Sequence, residues 1–91
     1  MLWSSVEEIR KASLDSGHHW FSPSTMRFFG SRVYSDLVGG RFFISSEMDA
    51  QGTSRRYTIR EALPDAHIET VSGFQEYASL KDARKALKAL A

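Results

Sequence analysis

Two short segments constrain this chain more than anything else in it: Arg41-Phe42-Phe43-Ile44-Ser45-Ser46-Glu47 and Arg55-Arg56-Tyr57-Thr58-Ile59-Arg60. Each alternates residue types with a period near two, and a short polar stretch containing Gly52 separates them. Successive side chains of a strand point to opposite faces, so the pattern predicts a β-hairpin with one apolar face and one basic face. With Asp49-Ala50-Gln51-Gly52 as the loop, Ile44 is expected across from Tyr57 and Phe42 across from Ile59. The reverse face then sets Arg41 against Arg60, Phe43 against Thr58 and Ser45 against Arg56. A slip of one residue would exchange the faces.

The neighbouring segments extend the hairpin into a meander. Ser31-Arg32-Val33-Tyr34 reads as a short strand, Ser35 to Gly40 as a turn, and residues 66–72 as a further strand after the turn Leu63-Pro64-Asp65-Ala66. A tight turn there places Arg60 beside Glu69 and adds Ile68 and Thr70 to the apolar face. That face is then Phe42, Ile44, Tyr57, Ile59 and Ile68. The other shows Arg41, Phe43, Arg56, Thr58, Arg60, His67 and Glu69.

Helices flank the meander. Ser5 with Glu8 forms a capping box, and Val6, Ile9 and Leu14 give a sparse apolar stripe, which predicts a helix over 5–15 with Gly17 as its stop. Ser22 caps a second unit, Pro23 opens it and Gly30 closes it after about two turns. Ser79 caps the last helix, whose Leu80, Ala83, Leu87 and Leu90 share a face while Lys81, Arg84, Lys85 and Lys88 take polar positions. That face needs an apolar partner, and the Phe42/Ile44/Tyr57/Ile59 face is the available one. The expected fold is α+β: an N-terminal helix, a short helical turn, an antiparallel three- or four-stranded meander and a C-terminal helix packed on one sheet face.

Ninety-one residues, 42% hydrophobic and 25% charged, define a single domain over residues 1–91 with one modest core. Dimerisation is one way to add to it. Net charge is only +1, which is not the overall signature of a nucleic-acid or membrane binder. Yet six arginines face three acids between Arg27 and Arg60. Arginine favours bidentate contact with carboxylate or phosphate, and its stem also covers aromatics. Arg41, Phe43, Arg56, Thr58 and Arg60 are therefore the candidate binding face, an aromatic among arginines on an open sheet. Such a face could stack a nucleic-acid single strand or take an acidic protein surface.

Chemistry is not expected. Cysteine is absent, which removes thiolate catalysis and Cys-based metal sites. His18 and His19 are adjacent, so their rings point apart, and no third ligand near His67 is evident; no metal site or cofactor is predicted. The hydroxyls of Ser22, Ser24, Thr25, Ser45 and Ser46 lack a visible base and orienting acid. The acids Glu7-Glu8, Glu47-Asp49 and Glu61 with Asp65 are paired only in sequence, and Gly39-Gly40 lacks the rest of a phosphate loop. Trp3, Trp20, Phe21, Phe28 and Phe29 fit either a second core or a hydrophobic patch for a partner. The first residues lack a basic then apolar leader, and no apolar run reaches about 20 residues, so a cytoplasmic location is expected.

Phe21-Ser22-Pro23-Ser24-Thr25-Met26-Arg27-Phe28-Phe29, Ser31-Arg32-Val33, Gly39-Gly40-Arg41-Phe42-Phe43, Ser46-Glu47, Arg55 through Ala62 and Phe74-Gln75-Glu76-Tyr77 together resemble a family of short uncharacterised proteins. Bacteriophages, plasmids and other bacterial mobile elements encode that family. The resemblance spans nearly the whole chain and carries no reaction. It implies a bacterial cytoplasm and a non-enzymatic accessory role through binding, such as inhibition or adaptation of a host defence complex.

Overall fold

The sheet of the computed structural model, which describes residues 2–90, contains β1 (Arg32–Val38), β2 (Phe42–Met48), β3 (Arg55–Ala62) and β4 (Ile68–Val71). All neighbours are antiparallel and the order is β1-β2-β3-β4, a meander. Helices α1 (Val6–Asp15) and α2 (Pro23–Phe29) precede it, and α3 (Leu80–Lys88) follows it. The expected α+β class is the observed one.

The caps act as their sequence implies. Ser5, Ser22 and Ser79 accept hydrogen bonds from the backbone N–H groups of Glu8, Thr25 and Asp82. Each satisfies a donor that the first helical turn leaves free. Glu8 reaches back to the N–H of Ser4 rather than that of Ser5.

The hairpin register differs from expectation by two. Ile44 pairs with Ile59, Phe43 with Arg60, and Ser45 with Thr58. The cause is the loop, which closes at 49–54 instead of 49–52: the Asp49 N–H donates to Ser54 O at 2.7 Å. The Asp49 carboxylate accepts from the Thr53 N–H at 2.8 Å and from its hydroxyl at 3.0 Å. A shift of two preserves side-chain parity, so Phe42, Ile44, Tyr57 and Ile59 still share a face.

The next connection is longer by one, and there parity is lost. Leu63 N–H donates to His67 O at 2.9 Å, with Ala66 held at φ 69°. Thr70 therefore pairs with Arg60 and Ile68 with Ala62, while Glu69 faces Glu61. Ile68 and Thr70 lie on the arginine face, not the apolar one. Strand β1 also runs on to Val38, with an irregularity between Val33 and Leu37, where a turn from Ser35 was expected.

The sheet is buried on both sides. Under α3, Phe42, Ile44 and Ile59 pack with Ala83 and Leu87. On the reverse side, Phe43 and Ala62 pack with Trp3, Ile9, Phe21 and Ala66. Six consecutive residues of β2, Phe42 to Glu47, are buried. Each fully buried Phe or Leu contributes about 1.5–3 kcal/mol. The second layer is built by α1 through Ile9 and Ser13, while Leu14, expected on its apolar stripe, is exposed, as is Leu90, which lies beyond the end of α3. Trp3 is pinned by its N–H to Gly40 O at 2.7 Å. No described helix is long and apolar enough to cross a membrane.

Candidate functional site

Three of the five residues expected on an open arginine platform, Phe43, Thr58 and Arg60, lie inside the molecule, while Arg56 is half-buried and Arg41 exposed. Phe43 and Thr58 are fully buried. Arg60 is buried as well. Its Nε donates to Ser45 Oγ at 2.9 Å, one terminal nitrogen donates to Thr70 Oγ1, and the other lies 3.5 Å from Glu47 Oε2. The expected pairs Arg41–Arg60 and Arg60–Glu69 do not form.

Arg55 and Arg56 hold the chain's own backbone. Arg56 donates to the carbonyls of Gln75 at 2.9 Å and Glu76 at 3.0 Å. Gln75 in turn donates its N–H to Thr58 Oγ1, and its side-chain amide to Met48 O. The segment 72–76 thus arches over the arginine face before Tyr77 rejoins β3 beside Tyr57. Arg55 donates to Gly30 O at 2.8 Å and to Ser46, clasping the end of α2. Arg41 lies outside β2, over the Phe42 ring and 3.6 Å from Glu61. The structure gathers Phe43, Thr58, Arg56 and Arg60 on one side of the sheet and separates Arg41 from them.

Above this buried network opens a pocket of about 230 Å³. Trp20, Phe29 and Phe74 wall it with Thr25 and Ser31, and Glu47 and Arg60 form its polar end. The Arg60 guanidinium carbon sits 5.2 Å from the Trp20 ring centre and 5.4 Å from that of Phe74, within cation–π range. Burial pulls the Arg60 pKa down, and the Glu47 charge opposes this. Glu47 Oε1 accepts from the Thr58 hydroxyl at 3.3 Å, whereas Oε2 is buried and accepts no hydrogen bond.

The rim is apolar and exposed. Helix α2 buries none of its residues fully; Phe28 is 82% exposed, Phe29 50% and Phe74 56%. The Phe28 and Phe29 rings meet edge to face, 4.9 Å apart. Of the five N-terminal aromatics, Trp3 and Phe21 are core and Trp20 packs against it, while Phe28 and Phe29 form a surface patch. The expected second core is thus formed by Trp3, Phe21 and Trp20, and Phe28 and Phe29 stand outside it.

A second cluster escaped the sequence. His18, Asp65 and His67 converge although 47 and 49 positions separate His18 from the other two. Asp65, two residues before His67, is brought beside both imidazoles by the β3–β4 turn. Only the fold reveals the meeting with His18, because no local spacing encodes it. His19 takes no part in the cluster and is exposed.

A sheet covered by helices on both faces, with an aromatic-rimmed pocket on one of them, defines a small α+β domain. The chain belongs to the family described as Family of unknown function (DUF7447), whose model matches residues 5–88. No curated protein and no solved structure matches the chain significantly.

Proposed function

We propose that this chain is a small non-enzymatic protein-binding module that takes an aromatic anchor of a partner protein into the Trp20/Phe29/Phe74 pocket. The observation that carries the reading is the pocket itself, walled by the apolar faces of Trp20, Phe29 and Phe74 and closed at its polar end by the Arg60–Glu47 ion pair. A side chain with an apolar body and a donor at its tip, Tyr or Trp, matches both parts. A neutral donor also preserves the existing balance between Glu47 and Arg60, whereas a lysine would add an uncompensated charge and lose its hydration. Exposed Phe28, Phe29 and Phe74 supply the surrounding apolar contact that excludes water from such an anchor.

The pocket is smaller than the 300–1,000 Å³ usual for small-molecule sites. It suits one inserted side chain better than a substrate, and its lining pairs no nucleophile with a histidine. The resemblance to mobile-element proteins adds a setting: a bacterial cytoplasm and a host protein, such as a defence complex that the module inhibits or adapts. The alternative of a nucleic acid bound by the arginine face has less support, since Arg41, Arg56 and Arg60 all engage the chain's own groups.

The test is panning of a displayed random peptide library against the protein, with counter-selection on Phe74→Ala. Enriched peptides should share a Tyr or Trp and lose at least tenfold affinity on Phe29→Ala or Phe74→Ala. Enrichment of peptides without an aromatic, or affinity indifferent to Phe74, would sink the proposal. A second copy as the occupant would instead show as dimerisation that Phe28→Ser abolishes. Binding of oligonucleotides, with log K falling steeply in log[salt], would favour the nucleic-acid alternative.

A further inference from the structure

We infer that His18, Asp65 and His67 form a surface site for a divalent transition metal of the zinc class, which ties the end of α1 to the β3–β4 turn. One donor atom of each of the three residues lies within 4.8 Å of those of the other two. Zinc bonds to imidazole nitrogen and carboxylate oxygen are about 2.0–2.2 Å, so ligands around one ion stand roughly 3.3–3.5 Å apart. The three groups are thus within about 1.5 Å of a closed set, a movement that half-buried His18 and exposed Asp65 and His67 make by rotating χ angles. The imidazoles already stand together, with ring centres 4.1 Å apart and planes tilted by 36°.

The backbone beneath them is fixed, so the groups are held near one another without an ion. His18 N–H donates to the carbonyl of Ser13, which is fully buried. On the other side, Ala66 is buried in the core between the two ligand-bearing residues, and its N–H returns to Leu63 O at 2.8 Å. Asp65 accepts the His67 N–H at 3.1 Å and approaches His67 Nδ1 at 3.0 Å. A carboxylate and an imidazole are positioned toward each other in this way before any ion arrives. Their side chains are 63% and 58% exposed, which leaves room for water to complete the coordination.

The donor set selects the ion. Two imidazoles and one carboxylate suit zinc, copper, nickel or cobalt, whereas calcium and magnesium require oxygen ligands. With three protein ligands on open surface, the ion acts as a clasp. Because it links segments far apart in sequence and a preformed site is lost on unfolding, binding stabilises the fold.

The experiment is calorimetric titration of tag-free protein with zinc chloride at neutral pH. Amide chemical shifts and the visible spectrum with cobalt(II) accompany it. One equivalent should bind, shifts should concentrate at residues 17–19 and 63–68, and thermal stability should rise. His67→Ala and Asp65→Ala should each weaken binding at least tenfold, while His19→Ala leaves it unchanged. All three positions are exposed, and the metal-free melting temperature of each variant verifies folding. The inference is overturned if no saturable binding of zinc, cobalt, nickel or copper occurs below 1 mM, if His19→Ala costs as much as His67→Ala, or if magnesium binds as well as zinc.

Discussion

Arg60 and Glu47 form an ion pair inside the sheet layer, 3.5 Å apart, with 9% and 4% of their side chains exposed. They reach each other over Ser45 and Thr58, which are small enough to leave room and polar enough to bond to them. Taking two charges out of water is costly, and removing one partner strands the other. Arg60→Met should therefore destabilise the domain by about 3–5 kcal/mol in urea unfolding. The double change Arg60→Met with Glu47→Gln should cost less than the single one, because the stranded charge is gone. Arginines on an exposed platform would have given at most about 0.5 kcal/mol, so the same measurement separates the buried network from the open face that the sequence pattern suggested.

Gly40 has φ 69°, and a Cβ there would meet Leu2 Cβ at 2.8 Å and the Trp3 carbonyl at 3.2 Å. Gly52 has nearly the same φ, 71°, with open space around it. Left-handed backbone alone costs a non-glycine residue about 1–2 kcal/mol. Gly52→Ala should show that cost and little more. Gly40→Ala should exceed it and shift the tryptophan fluorescence, since the Trp3 backbone donates to Gly40 O. Equal costs at the two positions would mean that the N-terminal segment yields freely.

Much of the fold was legible because it is written locally. Ser5, Ser22 and Ser79 each stand where a helix start needs an acceptor. The alternation of Phe42, Ile44, Tyr57 and Ile59 survived a misplaced register because a shift of two keeps each side chain on its face. The β3–β4 turn, longer by one residue, removed that protection from Ile68, Thr70 and Glu69. The arginine face misled for a physical reason: a buried Arg60 and a surface arginine have the same sequence signature until their partners are known. Those partners, Glu47 and Phe74 among them, lie 13 and 14 positions away. The His18/Asp65/His67 cluster was illegible for the same reason over longer separations.

Phe28 lies at the end of α2, 82% exposed and without a core role. Phe28→Ser should leave urea stability within about 0.5 kcal/mol of wild type. It should also improve solubility, because it removes the most exposed large apolar side chain of the patch. By contrast, Leu87→Ala, on the sheet-facing side of α3 and 1% exposed, should cost about 2–5 kcal/mol. A large loss from Phe28→Ser would assign the patch to the fold rather than to recognition.

The β2–β3 loop carries a pH dependence whose sign follows from Asp49. The Thr53 N–H and hydroxyl, with the Ser54 and Gln51 backbone, favour the ionised carboxylate and hold its pKa below the ordinary value. A depressed folded-state pKa contributes stability that is complete above the unfolded value of about 4 and is lost as pH falls through the folded one. Glu76, held down first by the Gly73 N–H and then by Tyr77, acts in the same direction at the segment that crosses the arginine face. The melting-temperature difference between wild type and Asp49→Ala should therefore stay constant from pH 8 to about 5 and shrink as the solution is acidified through the carboxylate range. A difference that widens on acidification would show that the loop favours the protonated carboxyl, with Thr53 no longer its donor.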